Sequence, residues 1–377
     1  MKRWIISFLG VLMAFFTLIP EPVAAVSLSC QDLLSQSPAN LRLAIEEGLS
    51  VITDDEAVKT DLEFIPLEGG LSHSRLYRFN VDVQEYVLRV LDPKRLHDSD
   101  LRREKRESEV QAHRMAGLAG IAPELIYADS DSICMIMRYI DGHILNRADL
   151  QNPDLLRQLG KTLKLLHGLD NSVVTSKITP EYRVKKHYIS ALEKGVAFPS
   201  CFEKLYQEFM TDETLKKSAD VLCHGDLNRG NILIRNDQVL LIDWAGVFVG
   251  SPYVDLGCIA ILSGMSSDQE NVLFSAYLER EPEEEELCLL QHAKARACFV
   301  TAAVWLDFSE TEEERLAPIE ERVRRLDQLL ASPDLKMAHE YIEKGEVVDP
   351  GRAASKEIRL FALGYLKEYM ELKSFSS

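Results

Sequence analysis

The chain reads as an α+β protein of two lobes, a small β-rich N-lobe ahead of a larger helical C-lobe. Three observations predict this. Its 377 residues are enough for two substantial lobes. β-prone runs gather between Phe64 and Ile140. Beyond them helical periodicity dominates, interrupted by one pair of short apolar runs around Asn236-Asp237.

Taken in order, residues 1–25 form an export-type signal. Met1-Lys2-Arg3 is a basic start, Trp4 to Ile19 an uncharged apolar run, and Val23-Ala24-Ala25 a small-residue site that predicts cleavage after Ala25. The apolar run is shorter than the roughly 20 residues a bilayer span needs, so the mature chain is expected to have no stable membrane span. Residues 26–60 form a helical extension, with a short amphipathic helix over 39–48 capped by Asn40 and closed by Gly48.

The N-lobe and hinge occupy 61–142. Leu76-Tyr77-Arg78-Phe79 and Tyr86-Val87-Leu88-Arg89-Val90 are strand-like runs flanking a polar turn. Residues 100–117 carry charges at helical spacing, and Ile133 to Ile140 is a further strand closed by Asp141-Gly142. The C-lobe spans 143–340, with helices over Leu155 to Leu166, Phe202 to Met210, Asp268 to Tyr277 and Glu284 to Leu306. Residues 341–377 read as a helical tail.

Composition bounds the function. With 46% hydrophobic and 27% charged residues the chain is an ordinary globular one, and a net charge of −17 argues against a nucleic-acid partner. The seven cysteines are scattered, odd in number and set mostly among apolar neighbours, which fits buried thiols from a reducing compartment rather than a disulfide framework or metal cluster. Signal and cysteines therefore point to different compartments. Secretion into a host cell's cytoplasm is the expectation that reconciles them.

The chemistry is carried by the hairpin near 231–242. His224-Gly225-Asp226-Leu227-Asn228-Arg229-Gly230-Asn231 leads into its first strand, and Ile242-Asp243-Trp244 ends its second. An Asp, an Asn five residues on, a short hairpin and another Asp form the arrangement that phosphoryl transfer uses. Asp226 sits on a loop where it can accept the proton of an attacking hydroxyl. Asn231 and Asp243 leave the same end of the hairpin and offer the hard oxygens that Mg²⁺ prefers. Upstream, paired Gly69-Gly70, followed by Ser72, precede a strand and let backbone N–H groups approach phosphate oxygens.

These residues resemble the aminoglycoside phosphotransferase and choline kinase family, which shares the protein-kinase-like fold; the likeness covers about 60–330. It implies an ATP- and Mg²⁺-dependent kinase of a small-molecule hydroxyl, with Asp226 as base and Asn231 and Asp243 on the metal. It also implies that Asp255 braces the catalytic loop, that His224 orients it, and that Arg89 meets the nucleotide phosphates. Glu104, Glu107 and Glu109 are candidates for the acidic partner of Arg89, and Glu109 has the spacing to the Gly120-Ile-Ala-Pro123 turn seen in relatives. The hinge Met137-Arg138-Tyr139-Ile140 would read adenine through the backbone at Arg138 and Ile140.

The acceptor is left open among choline- or ethanolamine-like, thiamine-like and aminoglycoside-like molecules. Choline kinases often carry Asn where this chain has Gly225, and an acid soon after Asp243, where this chain has Ala245 and Gly246. Trp244, Tyr253, Trp305 and Phe308 are either core or an aromatic cage for a quaternary amine. The alternative to an enzyme is a catalytically silent nucleotide-binding effector on the same scaffold. A protein kinase is disfavoured, since no Ala-Pro-Glu signature follows Asp243.

Overall fold

Period-two burial builds the small sheet. In the computed structural model, which describes residues 27–67, 74–91, 100–343 and 353–375, Tyr77, Phe79 and Val81 face the same core as Tyr86, Leu88 and Val90. The 1–25 export-type segment lies outside the described residues.

In chain order, β1 (Leu28–Ser29), α1 (Cys30–Ser35), α2 (Ala39–Ile52) and α3 (Glu56–Thr60) precede β2 (Glu63–Pro66), β3 (Ser74–Val81) and β4 (Gln84–Leu91). Next come α4 (Asp100–Leu118), β5 (Leu125–Ala128), β6 (Cys134–Arg138), β7 (His143–Ile144), α5 (Pro153–His167), α6 (Pro180–Lys194) and α7 (Phe202–Thr211). Then follow β8 (Val221–Cys223), β9 (Ile232–Arg235), β10 (Gln238–Leu241), β11 (Phe248–Gly250) and α8 (Pro252–Ser263). The chain closes with α9 (Ser267–Leu278), α10 (Glu284–Leu306), α11 (Ile319–Leu330), α12 (Ala338–Glu343) and α13 (Ser355–Phe375).

Contacts divide the chain into two units. The first runs to Asn146 and adds 168–176 and 229–247, while the second holds Arg147–His167, Lys177–Asn228 and everything from Phe248. Hairpin β9–β10 thus belongs to the first unit.

In the first unit an antiparallel sheet runs β1-β2-β3-β4-β6-β5. The N-terminal extension is part of it, because Leu28 pairs with Phe64 and α2 packs on β5 and β6. Helix α2 differs from expectation at both ends: Pro38 is its N-cap, and it continues past Gly48 to Ile52. Gly48 is there for close packing, since a Cβ would come 2.7 Å from the Tyr127 ring.

In the second unit α10 is buried on most sides, packing on α6, α8 and α13. Gly257 lets α8 approach, since a Cβ there would lie 2.6 Å from the Ala293 backbone. The expected tail is integral here. Phe361, Ala362, Leu363, Tyr365 and Leu366 of α13 are buried. Among the described residues, no helix is long and apolar enough to cross a membrane.

Candidate functional site

The site residues fall into two groups, one in each unit. In the first, Arg89 is out of phase with the core-facing Leu88 and Val90, so the strand period turns it to the opposite face of β4. Its guanidinium pairs with Glu109 of α4, donates from Nε to the Ser74 hydroxyl at 3.1 Å and lies 3.6 Å from the Met135 sulfur. Glu107, by contrast, pairs with Arg103 on the exposed side. Burial pulls the Arg89 pKa down, but the carboxylates of Glu109 and Asp243 outweigh it and hold the group up. Burial raises Glu109 in turn, and Arg89 brings it below the usual carboxylate range.

Helix α4 presents Glu109 and, one turn later, His113. The His113 Nε2–H donates to the Pro123 carbonyl at 2.9 Å, and its ring stacks on Trp244. Trp244 follows Asp243, so one helix face touches both Arg89 and the residue beside the second Asp.

Hairpin β9–β10 sets Asn231 and Asp243 at one end. Ile232 pairs with Leu241, and the Ile242 N–H donates to the Asn231 carbonyl at 3.0 Å. The turn residues Asn236 and Asp237 have φ of 47° and 63°, the left-handed pair that a two-residue hairpin loop requires. Asp243 is also left-handed, at φ 58°, and its carboxylate accepts the Ala245 N–H at 3.4 Å. An amide and a carboxylate oxygen are a donor set that fits Mg²⁺.

At the hinge, the Arg138 and Tyr139 N–H groups donate to the Glu124 and Glu85 carbonyls at 2.9 and 3.0 Å, whereas the Ile140 N–H makes no such backbone bond among the described residues. The Arg138 side chain lies over the Tyr86 ring, 4.9 Å from its centroid. Gly69, Gly70 and Ser72 lie outside the described residues.

In the second unit, β8 pairs with β11 and delivers the chain to His224. Gly225 follows at φ 74°, then Asp226, which is only 2% exposed. The Asn228 side-chain amide donates to Asp226 Oδ1 at 3.2 Å. Asp255, fully buried in the first turn of α8, accepts the N–H groups of His224 and Gly225 at 2.7 and 2.8 Å. The loop before Asp226 is therefore gripped by a carboxylate.

Sequence reasoning missed what holds that carboxylate. His167, in the last turn of α5, donates from Nε2 to Asp255 at 3.1 Å, and its Nδ1 accepts the Tyr277 hydroxyl at 3.0 Å. The available signal was a histidine one turn beyond Leu163 on the apolar face of an amphipathic helix. Burial alone would raise the Asp255 pKa; the His167 hydrogen bond and the Gly225 N–H bring it below the usual range. The Cys223 thiol lies within 4.8 Å of this pair but donates to the Ser251 carbonyl at 3.3 Å. The knot reads as a brace.

A phosphotransferase enzyme family profile matches residues 63–290, more than half of the chain. The chain belongs to the phosphotransferase enzyme family. It is 26% identical over 217 residues to the protein LicA of Haemophilus influenzae, a match covering 55% of this chain and 61% of that protein's length. A choline/ethanolamine kinase family protein from Mesorhizobium loti superposes with a TM-score of 0.54 at 17% identity, over 85% of this chain and 98% of that one. The streptomycin–ATP–APH(2")-IIa ternary complex gives 0.51 at 19% identity, over 77% and 97%. The fold is thus kinase-like, with an N-terminal antiparallel sheet followed by a mostly helical region.

Each of the four aromatic residues packs on a different ring. Trp244 stacks on His113, Tyr253 meets Phe274 and Trp305 meets Phe361 edge to face, and Phe308 lies tilted against His187. Trp244 and Trp305 are fully buried core. The cysteines vary more than expected: Cys30, Cys134, Cys223 and Cys298 are buried, Cys201 and Cys258 half-buried, and Cys288 exposed.

Proposed function

We propose that the protein transfers the γ-phosphoryl group of ATP to a hydroxyl of a small molecule, with Mg²⁺ as cofactor. The observation that carries this reading is Asp226, a buried carboxylate on a loop whose preceding backbone is held by Asp255. Asp226 accepts the acceptor's proton as the hydroxyl oxygen bonds to phosphorus and the bond to the β-phosphate oxygen breaks, releasing ADP. Arg89, held by Glu109, binds phosphate oxygens through its planar donors.

Asn231 and Asp243 would hold the metal, which when bound neutralises charge on the phosphates. The Gly69-Gly70-Ser72 segment is assigned to the phosphates, and the Arg138 carbonyl and Ile140 N–H to adenine. His224 and Asp255 position the loop. The names of the M. loti and APH(2")-IIa neighbours support an amino alcohol or amino sugar as acceptor and ATP as donor.

The test is a phosphorylation screen with ATP·Mg²⁺ against choline, ethanolamine, thiamine and several aminoglycosides. Transfer to one of them that Asp226→Asn lowers by several orders of magnitude is the expected result. Binding of ATP·Mg²⁺, seen as a raised Tm, with no turnover of any acceptor would favour the silent effector instead.

A further inference from the structure

A serine in mid-helix ordinarily points to solvent or bonds back to its own helix. Ser108 of α4 does neither. It is 0% exposed, and its hydroxyl oxygen accepts two consecutive backbone N–H groups, those of Thr175 and Ser176, each at 3.0 Å. The Thr175 hydroxyl is 3.4 Å away. Among the described residues, this hydroxyl's hydrogen-bond partners thus lie on one loop, and they belong with Ser108 to the first unit.

The tie sits beside the residue that matters for Arg89. Ser108 and Glu109 are adjacent on α4, about 100° apart around the helix, so fixing one fixes the direction of the other. Ala112 and Ala116 continue the Ser108 stripe at one-turn intervals and are fully buried. With small side chains packed along that stripe, α4 cannot turn or slide without losing both backbone hydrogen bonds. Leaving buried N–H groups without an acceptor is costly, so the arrangement is held firmly.

We propose that Ser108 is a positioning residue of the nucleotide site: by tying α4 to the backbone at 175–176 it sets Glu109 against Arg89. This rests on the phosphate-binding role proposed above for Arg89. Helix α4 is then a fixed brace for the phosphate cation.

The experiment measures Mg²⁺·ADP affinity by calorimetry, and Tm, for the wild type, Ser108→Ala, Glu109→Gln and the double variant. Ser108→Ala is expected to weaken Mg²⁺·ADP binding roughly five- to twentyfold in the wild-type background and less than about twofold in Glu109→Gln, because the two act through one contact. The Tm loss from Ser108→Ala should be the same in both backgrounds. Unchanged affinity despite a lowered Tm, or an equal affinity loss in both backgrounds, would overturn the proposal by making Ser108 merely structural. A wild-type protein that binds no Mg²⁺·ADP overturns the role given to Arg89, and this proposal with it. That outcome is distinct, because it is read before any variant is compared.

Discussion

His113 and Trp244 lie nearly parallel, their ring centroids 6.3 Å apart and their planes at 23°. The contact joins the helix that supplies the Arg89 partner to the residue after Asp243. Both rings are buried, and the imidazole is also anchored on the Pro123 carbonyl. Substituting His113→Leu keeps most of the packing but leaves that carbonyl unsatisfied, at a cost of about 1–3 kcal/mol. If the stack sets Asp243, the variant also needs about tenfold more Mg²⁺ for half-maximal rate, as removal of a ligand's support does elsewhere. A lowered Tm with an unshifted Mg²⁺ requirement would show that the stack is packing alone.

Asp255 separates loop geometry from nucleotide binding. In Asp255→Asn one carboxylate oxygen becomes an NH₂ group facing a backbone N–H, and His167 loses its anionic acceptor. Leaving a buried N–H without its acceptor in this way costs about 1–3 kcal/mol, and more where the acceptor lost is charged. Turnover should fall at least about a hundredfold while Mg²⁺·ADP affinity stays within about threefold. An equal loss of both would place Asp255 in general folding rather than in the loop.

What could be read from the chain follows physical locality. Hairpin β9–β10 and helix α10 are legible because their signals, a left-handed Asn-Asp pair and a long apolar period, lie within the segments themselves. Gly48 is misread as a helix end because its reason is a tyrosine 79 positions away in the chain. His167 and Tyr277 are silent for the same cause: each looks like an ordinary core residue until tertiary contact places it on Asp255. Helix α13 is legible as a helix, but its seat along α10 is not. The acceptor lies further from reach, since differences in one loop residue have more than one cause.

Gly225 illustrates that last point and can be tested. Its φ of 74° lies in the left-handed region, which glycine enters freely and asparagine tolerates better than other residues. The backbone alone therefore accounts for glycine at this position, without reference to the acceptor. Gly225→Asn should retain activity within about threefold and the same acceptor preference, while Gly225→Ala costs about 1–2 kcal/mol of stability. A changed acceptor preference in Gly225→Asn would return the position to the substrate site.

The seat of α13 has an electrostatic latch. Arg359 donates to the Ser309 carbonyl at 2.8 Å and to Glu314 at 2.7 Å, while the other Glu314 oxygen accepts the Thr311 N–H at 2.8 Å. Burial alone would raise the Glu314 pKa; Arg359 and the Thr311 N–H bring it down to about 2, from 4.5 for an unperturbed glutamate. A carboxyl depressed in the folded state contributes stability that is present in full above the unfolded value and lost as pH falls through the folded one. Wild type should therefore exceed Glu314→Gln in Tm by a constant margin above pH 4.5, and that margin should shrink as pH falls towards 2. Amide protection in α13, taken relative to the intrinsic exchange rate at each pH, should fall over the same interval in wild type and be low throughout in the variant. A margin that does not depend on pH would mean that α13 is seated by its apolar face alone, Phe361 and Leu366 sufficing without the latch.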